Sequence, residues 1–135
     1  MDLRARRGLI GKKEPEEELY PIGTDILVWS GYRATLNTSK MIKGLTGEYV
    51  DKTDSTIFGA SEVYIPVSPK YSYARNANRI RNIVFYDANK AYISSTNYMS
   101  NYNAGPLMAF PSATRFIRVT LQANSNQGLK ITRTA

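Results

Sequence analysis

At 135 residues the chain has room for a single hydrophobic core, and with 42% hydrophobic and 21% charged residues most of it is expected to fold. It contains no cysteine and no histidine, which removes disulfides, thiolate and imidazole metal ligands, and the Ser/His and Cys/His nucleophile pairs. The formal charge of +7 is distributed basic, then acidic, then basic: Arg4, Arg6, Arg7, Lys12 and Lys13 open the chain, acids prevail over residues 14–63, and beyond them Asp87 is the only acid. Such a distribution either steers an anionic partner toward one surface or reflects solvated outward charges. No apolar run approaches the roughly 18 residues that a membrane span needs, and the basic amino terminus lacks the apolar core of a signal peptide. The expectation is a non-enzymatic protein with no cofactor, no metal and no membrane address.

Residues 1–23, MDLRARRGLIGKKEPEEELYPIG, hold no sustained period and read as an extended arm, leaving residues 24–135 as the folded domain. Leu9 and Ile10, set between Gly8 and Gly11, could dock in a groove of a partner with Arg4, Arg6 and Arg7 making charge-assisted contacts around them. The alternative is a terminus that is not tied down. From Asp25 the run DILVWS predicts a strand that turns Ile26, Val28 and Trp29 to the core, and YRATLNTS alternates weakly as strand or loop. Gly44 and Gly47 break the next stretch and leave Glu48 to Val50 as a short strand. No segment keeps the i, i+3, i+4, i+7 pattern over three turns, so the only helical turn is placed between Asp54 and Ala60.

Strand signals then sharpen. Val63, Ile65 and Val67 alternate with Tyr64 and Pro66, and the proline, which cannot donate to a ladder, marks an edge strand or a strand entrance. YSYAR follows, and then RIRNIVFY, with Ile80, Ile83, Val84 and Phe85 as its apolar residues; Asp87 to Lys90 turn that strand into AYISS. After the polar loop TNYMSNYNAGP come LMAF, TRFIRVTLQ and GLKITRT. Short strands separated by turn signals about every ten residues predict an all-β sandwich or jelly roll.

Three groups of residues could carry a function. Tyr98, Asn101, Tyr102 and Asn103 combine rigid amphipathic rings with adaptable amides, a mixture suited to a glycan or a protein partner, or else to an ordinary solvent loop. Arg75, Arg79 and Arg81 beside Tyr71 and Tyr73 could hold a nucleic acid, but no nucleic-acid motif frames them and a solvated strand face has the same pattern. Glu16, Glu17 and Glu18 in the arm, and Asp51 and Asp54 in a loop, have neither an apolar frame to separate their pKa values nor EF-hand spacing. Asp87 either caps its own turn or pairs with Arg115 or Arg118.

The runs YIPVSPKYSY, NIVFYDANKAYIS and FPSATRFIRVT together resemble jelly-roll, galactose-binding-like modules of tailed-bacteriophage fibre, baseplate and other virion proteins. The resemblance rests on Tyr64 to Val67, Tyr71, Phe85 to Lys90 and Pro111 to Val119, and covers about half the chain. The opening MDLRARRGLI is similar to Arg-rich tethers of such particles. Together they imply a virion location, an arm attached to capsid or tail proteins, and a homo-oligomer, for which a trimer would suit the Tyr-rich surface. A host glycan is the alternative ligand, and nucleic acid is not expected.

Overall fold

The computed structural model describes residues 19–77, 79–97, 104–123 and 129–135. They form an all-β protein of short antiparallel strands: β1 (Lys40–Ile42), β2 (Tyr49–Asp51), β3 (Ile57–Ala60), β4 (Ile65–Pro66), β5 (Tyr73–Arg75), β6 (Ile80–Tyr86), β7 (Tyr92–Asn97), β8 (Gly105–Pro106), β9 (Phe116–Gln122) and β10 (Ile131–Arg133). One four-residue helical turn, α1 (Ile26–Trp29), and one 3-10 turn (Arg33–Thr35) precede them.

The central sheet runs β3-β9-β6-β7, with β4 lying against the same edge of β9 as β3, so residues 57–66 act as one interrupted edge strand. A second sheet, β10-β5-β8, is lengthened by the segment before α1, where Gly23 N–H donates to the Arg133 carbonyl and Asp25 bridges to Thr132. The main core lies between these two sheets. Ile83, Phe85, Ile117, Val119 and Leu121 meet Tyr73, Ile131 and Phe110 there, joined by Tyr20, Ile26, Leu27 and Tyr32. The β1–β2 hairpin covers the opposite face of the central sheet, and Ile42, Ala60, Val84 and Tyr86 form a smaller core beneath it.

Because the central sheet is covered on both faces, β6 and β9 are buried almost continuously, as strands inside a three-layered arrangement must be. Period-2 geometry divides β9 cleanly: Ile117, Val119 and Leu121 enter the main core, while Phe116, Arg118 and Thr120 face the β1–β2 layer. The turn expected after Tyr86 is present, with Asp87 Oδ1 accepting from the backbone amides of Asn89 at 2.8 Å and Ala91 at 3.0 Å. Asp87 therefore caps its turn, and among the described residues it pairs with neither Arg115 nor Arg118.

Three expectations need correction. DILVWS is not a strand but α1, because the Asp25 side chain caps the Leu27 amide at 3.1 Å and Gly31, at φ +82°, closes the turn beyond Ser30. Consequently Ile26 and the adjacent Leu27 are buried, whereas Val28 and Trp29 are more than half exposed. The single helical turn is therefore not between Asp54 and Ala60. There the Asp54 carboxylate accepts from the Thr56 amide in an Asx turn that feeds Ile57 into the β9 ladder. Finally, the body begins before Thr24: Tyr20 is fully buried, its hydroxyl donates to the Pro66 carbonyl, and its ring meets Trp29 edge-on at 4.9 Å.

Candidate functional site

Of the residues singled out in the sequence, the arm group Arg4, Arg6, Arg7, Leu9 and Ile10 and the loop group Tyr98, Asn101, Tyr102 and Asn103 lie outside the described residues. The basic cluster is described, and it is engaged in the fold. Arg75 is buried, Arg79 donates to the Ala123 carbonyl, and Arg81 reaches Thr56 Oγ1 at 2.7 Å and Asp54 at 3.9 Å. Asp51 pairs with Lys40 at 2.8 Å, and that hydrogen bond holds its carboxyl below the usual range. Asp54 is likewise held low, chiefly by the hydrogen bond from Thr56.

The described residues with the most pronounced chemistry lie where the edge strand breaks. Between β3 and β4 the ladder to β9 is interrupted at Ser61 to Tyr64, and the β9 carbonyl left without a strand partner there, that of Val119, accepts from the buried Tyr32 hydroxyl at 2.9 Å. Arg118 lies opposite this break, largely buried on the face of β9 turned toward β1 and β2. Its guanidinium lies 3.7 Å from the centroid of the Tyr64 ring, with Tyr86 at 5.6 Å and Tyr49 at 5.9 Å. Two carbonyls hold it in place, Gly47 O at 3.3 Å and Glu62 O at 2.9 Å, while its Nε has no hydrogen-bond partner among the described residues.

A second cation converges on the same rings. Lys90 occupies the turn between β6 and β7 at φ +63°, and its ammonium lies 5.2 Å from the Tyr64 centroid and 5.3 Å from that of Phe116. Neither Lys90 nor Arg118 forms an ion pair among the described residues. The result is an open cleft of about 550 Å³ lined by Ser30, Tyr49, Glu62, Val63, Tyr64, Lys90 and Arg118. The hydroxyls of Tyr49 and Tyr64 have no protein hydrogen-bond partner among the described residues, so both can serve a ligand. Tyr86, beneath the cleft, donates to Gly47 O at 2.6 Å, and burial pushes its phenol up to about 12 although Arg118 works against that rise.

Aromatic faces support the cations here, and unlike a carboxylate they do not neutralise them. The arrangement is suited to noncovalent binding of an anion. Arg118 was visible in the sequence as a strand residue between Ile117 and Val119 and as a candidate partner of Asp87, and Lys90 only as a turn residue; their convergence depends on the pairing of Tyr86 with Phe116 across β6 and β9. A lone arginine inside an apolar alternation was the one available signal.

Two smaller hollows, each about 280 Å³, flank Tyr71. One of them includes Leu19, whose amide donates to the Tyr71 hydroxyl at 3.1 Å, together with Lys70 and Arg115. Comparison of the chain with protein-family models, with curated proteins and with solved structures finds no match in any of the three.

Proposed function

We propose that this chain is a non-enzymatic structural protein of a tailed-bacteriophage virion, a capsid fibre, decoration or tail component. An amino-terminal arm ties it to another virion protein, and a β-sandwich of the jelly-roll, galactose-binding-like kind is displayed, as a homo-oligomer. The observation that carries this reading is that three of the segments bearing the resemblance meet in one sheet: Ile65 and Pro66 pair with Ile117 and Phe116, which pair in turn with Phe85 and Tyr86 ahead of the DANK turn, while Tyr71 leads into the other sheet. Further support comes from the place where the arm joins the body, since Leu19 sits against Tyr71 beside Lys70 and Arg115.

The burial of Tyr20 defines the truncation that tests the arm. Removing residues 1–18 should leave a soluble domain with an unchanged melting temperature that no longer enters purified particles, whereas the full chain does. Full incorporation of the truncated chain would rule out the tether, and absence of the full chain from particles would rule out the virion role. Removing residues 1–22 is a poorer test, because deleting a buried aromatic side chain costs about 3–5 kcal/mol by itself.

A carbohydrate-binding role on the same scaffold is the second reading. It is favoured by the unpartnered hydroxyls of Tyr49 and Tyr64 in the Arg118 cleft.

A further inference from the structure

The cleft at the break in the edge strand carries an inference about ligand class, which rests on the carbohydrate-binding reading. We infer that it binds an acidic saccharide, with the sugar carboxylate received by Lys90 and Arg118 and neighbouring sugar hydroxyls by Tyr49, Tyr64 and Glu62. Four observations lead there.

The first is charge. Residues 19–135 hold thirteen Lys and Arg against six Asp and Glu, so the whole excess of +7 belongs to the part of the chain that contains the body. Within the cleft, two cations face one carboxylate, that of Glu62, and no ion pair joins them among the described residues. An anion entering the cleft meets charge that has not been cancelled.

The second is ring geometry. A neutral sugar typically gains much of its affinity by lying flat on an aromatic face. Here the guanidinium of Arg118, at 3.7 Å from the Tyr64 centroid, already occupies one face of that ring. The ring serves as a support for the cation, and the ligand is left with charge and hydrogen bonds as its main contacts.

The third is donor and acceptor balance. The cleft offers two phenolic hydroxyls, an ammonium and the remaining N–H groups of a guanidinium as donors, and one carboxylate as acceptor. A saccharide that bears one carboxylate and several hydroxyls uses both kinds. A phosphate dianion would meet Glu62 as a repulsive neighbour.

The fourth is the state of the backbone edge. A peptide most readily joins a sheet by strand addition to unpaired edge groups. The Tyr32 hydroxyl occupies the Val119 carbonyl, and the Val67 amide donates to Arg115 O, so this side of β9 is satisfied around the break. An acidic peptide would have side-chain contacts alone.

The test is titration of the full chain, by calorimetry and by side-chain NMR of the tyrosines, with trigalacturonic acid, its neutral counterpart galactotriose, tetraglutamate and inorganic phosphate. Trigalacturonic acid should shift the signals of Tyr49 and Tyr64, bind at least about tenfold more tightly than galactotriose, and weaken severalfold between about 0.05 and 0.5 M salt. Lys90→Asn removes the charge with a residue that tolerates positive φ, so the variant should keep its melting temperature while losing about tenfold in affinity for the acid. Arg118→Leu should abolish binding, but it also removes two structural hydrogen bonds, so Lys90→Asn carries the decision. Equal binding of galactotriose would overturn the acidic class while leaving the carbohydrate reading intact. Tetraglutamate or phosphate binding as tightly as the acidic sugar at these tyrosines, or no response to either sugar at millimolar concentration, would overturn both.

Discussion

Gly47 shows how much of the candidate site depends on a residue with no side chain. At φ +76° it adopts a backbone conformation that costs other residues energy, and its carbonyl accepts from both the Tyr86 hydroxyl and Arg118. A Cβ there would stand 2.9 Å from carbons of both Tyr86 and Tyr92, closer than packed atoms approach. Gly47→Ala should therefore destabilise the protein by about 2 kcal/mol or more, read from the midpoint and slope of urea unfolding, because backbone strain and a steric clash act at one position. Gly105→Ala meets nothing within 4 Å and has no unusual φ, so it should stay within about 0.5 kcal/mol of the parent. If the two variants were equally stable, the turn would not be holding Arg118 as described. The sequence marked Gly47 only as a strand breaker, since the rings that crowd it come from residues 39 and 45 positions further along the chain.

Among the elements, the strands were legible where their signal was local and the helix was not. Ile80–Tyr86, the turn at Asp87 and Phe116–Gln122 follow from β-branched runs bounded by turn residues, and Pro66 lies on an edge strand as its missing donor requires. The central position of β6 and β9 was less visible, because a strand covered on both faces loses the alternation that reveals a half-buried one. DILVWS misled for a related reason: four apolar residues in a row fit a buried strand or a single helical turn equally well, and its end signals decide between them. Those signals are Asp25 before the run and Gly31 after it. Asp25 also does more than cap, since its Oδ1 lies 3.4 Å from the Ile131 amide and its Oδ2 pairs with Arg33 at 3.2 Å, partly shielded from solvent. Asp25→Ala should cost about 2 kcal/mol, combining a lost cap of about 1 kcal/mol with an arginine left without its carboxylate. Asp25→Asn keeps the capping oxygen and should cost about half as much. Equal losses in chemical denaturation would assign the whole effect to the ion pair and none to the cap.

Across the whole molecule, tyrosine hydroxyls link the layers of a chain that has no disulfide to do so. Tyr20 donates to Pro66 O, Tyr32 to Val119 O and Tyr86 to Gly47 O, while Tyr73 accepts from the Ser68 amide, so both cores contain a phenol bonded to a distant segment. All four rings are almost fully buried, and burial raises all four phenols, Tyr73 and Tyr86 to about 12 and Tyr20 and Tyr32 higher still. In the unfolded chain each would ionise near its ordinary value of about 10. The folded state thus holds protons that the unfolded state releases, and stability must fall as pH rises once the unfolded phenols begin to ionise. The stabilisation should be complete below about pH 10 and decline from there toward pH 12 and beyond. An absorbance titration at the tyrosinate band, run beside circular dichroism, should show Tyr20, Tyr32, Tyr73 and Tyr86 ionising only together with loss of the β signal, in a cooperative alkaline transition. If every tyrosine ionised near pH 10 while the sheets persisted, the buried hydroxyls would be open to solvent, and the layered core could not be arranged as described.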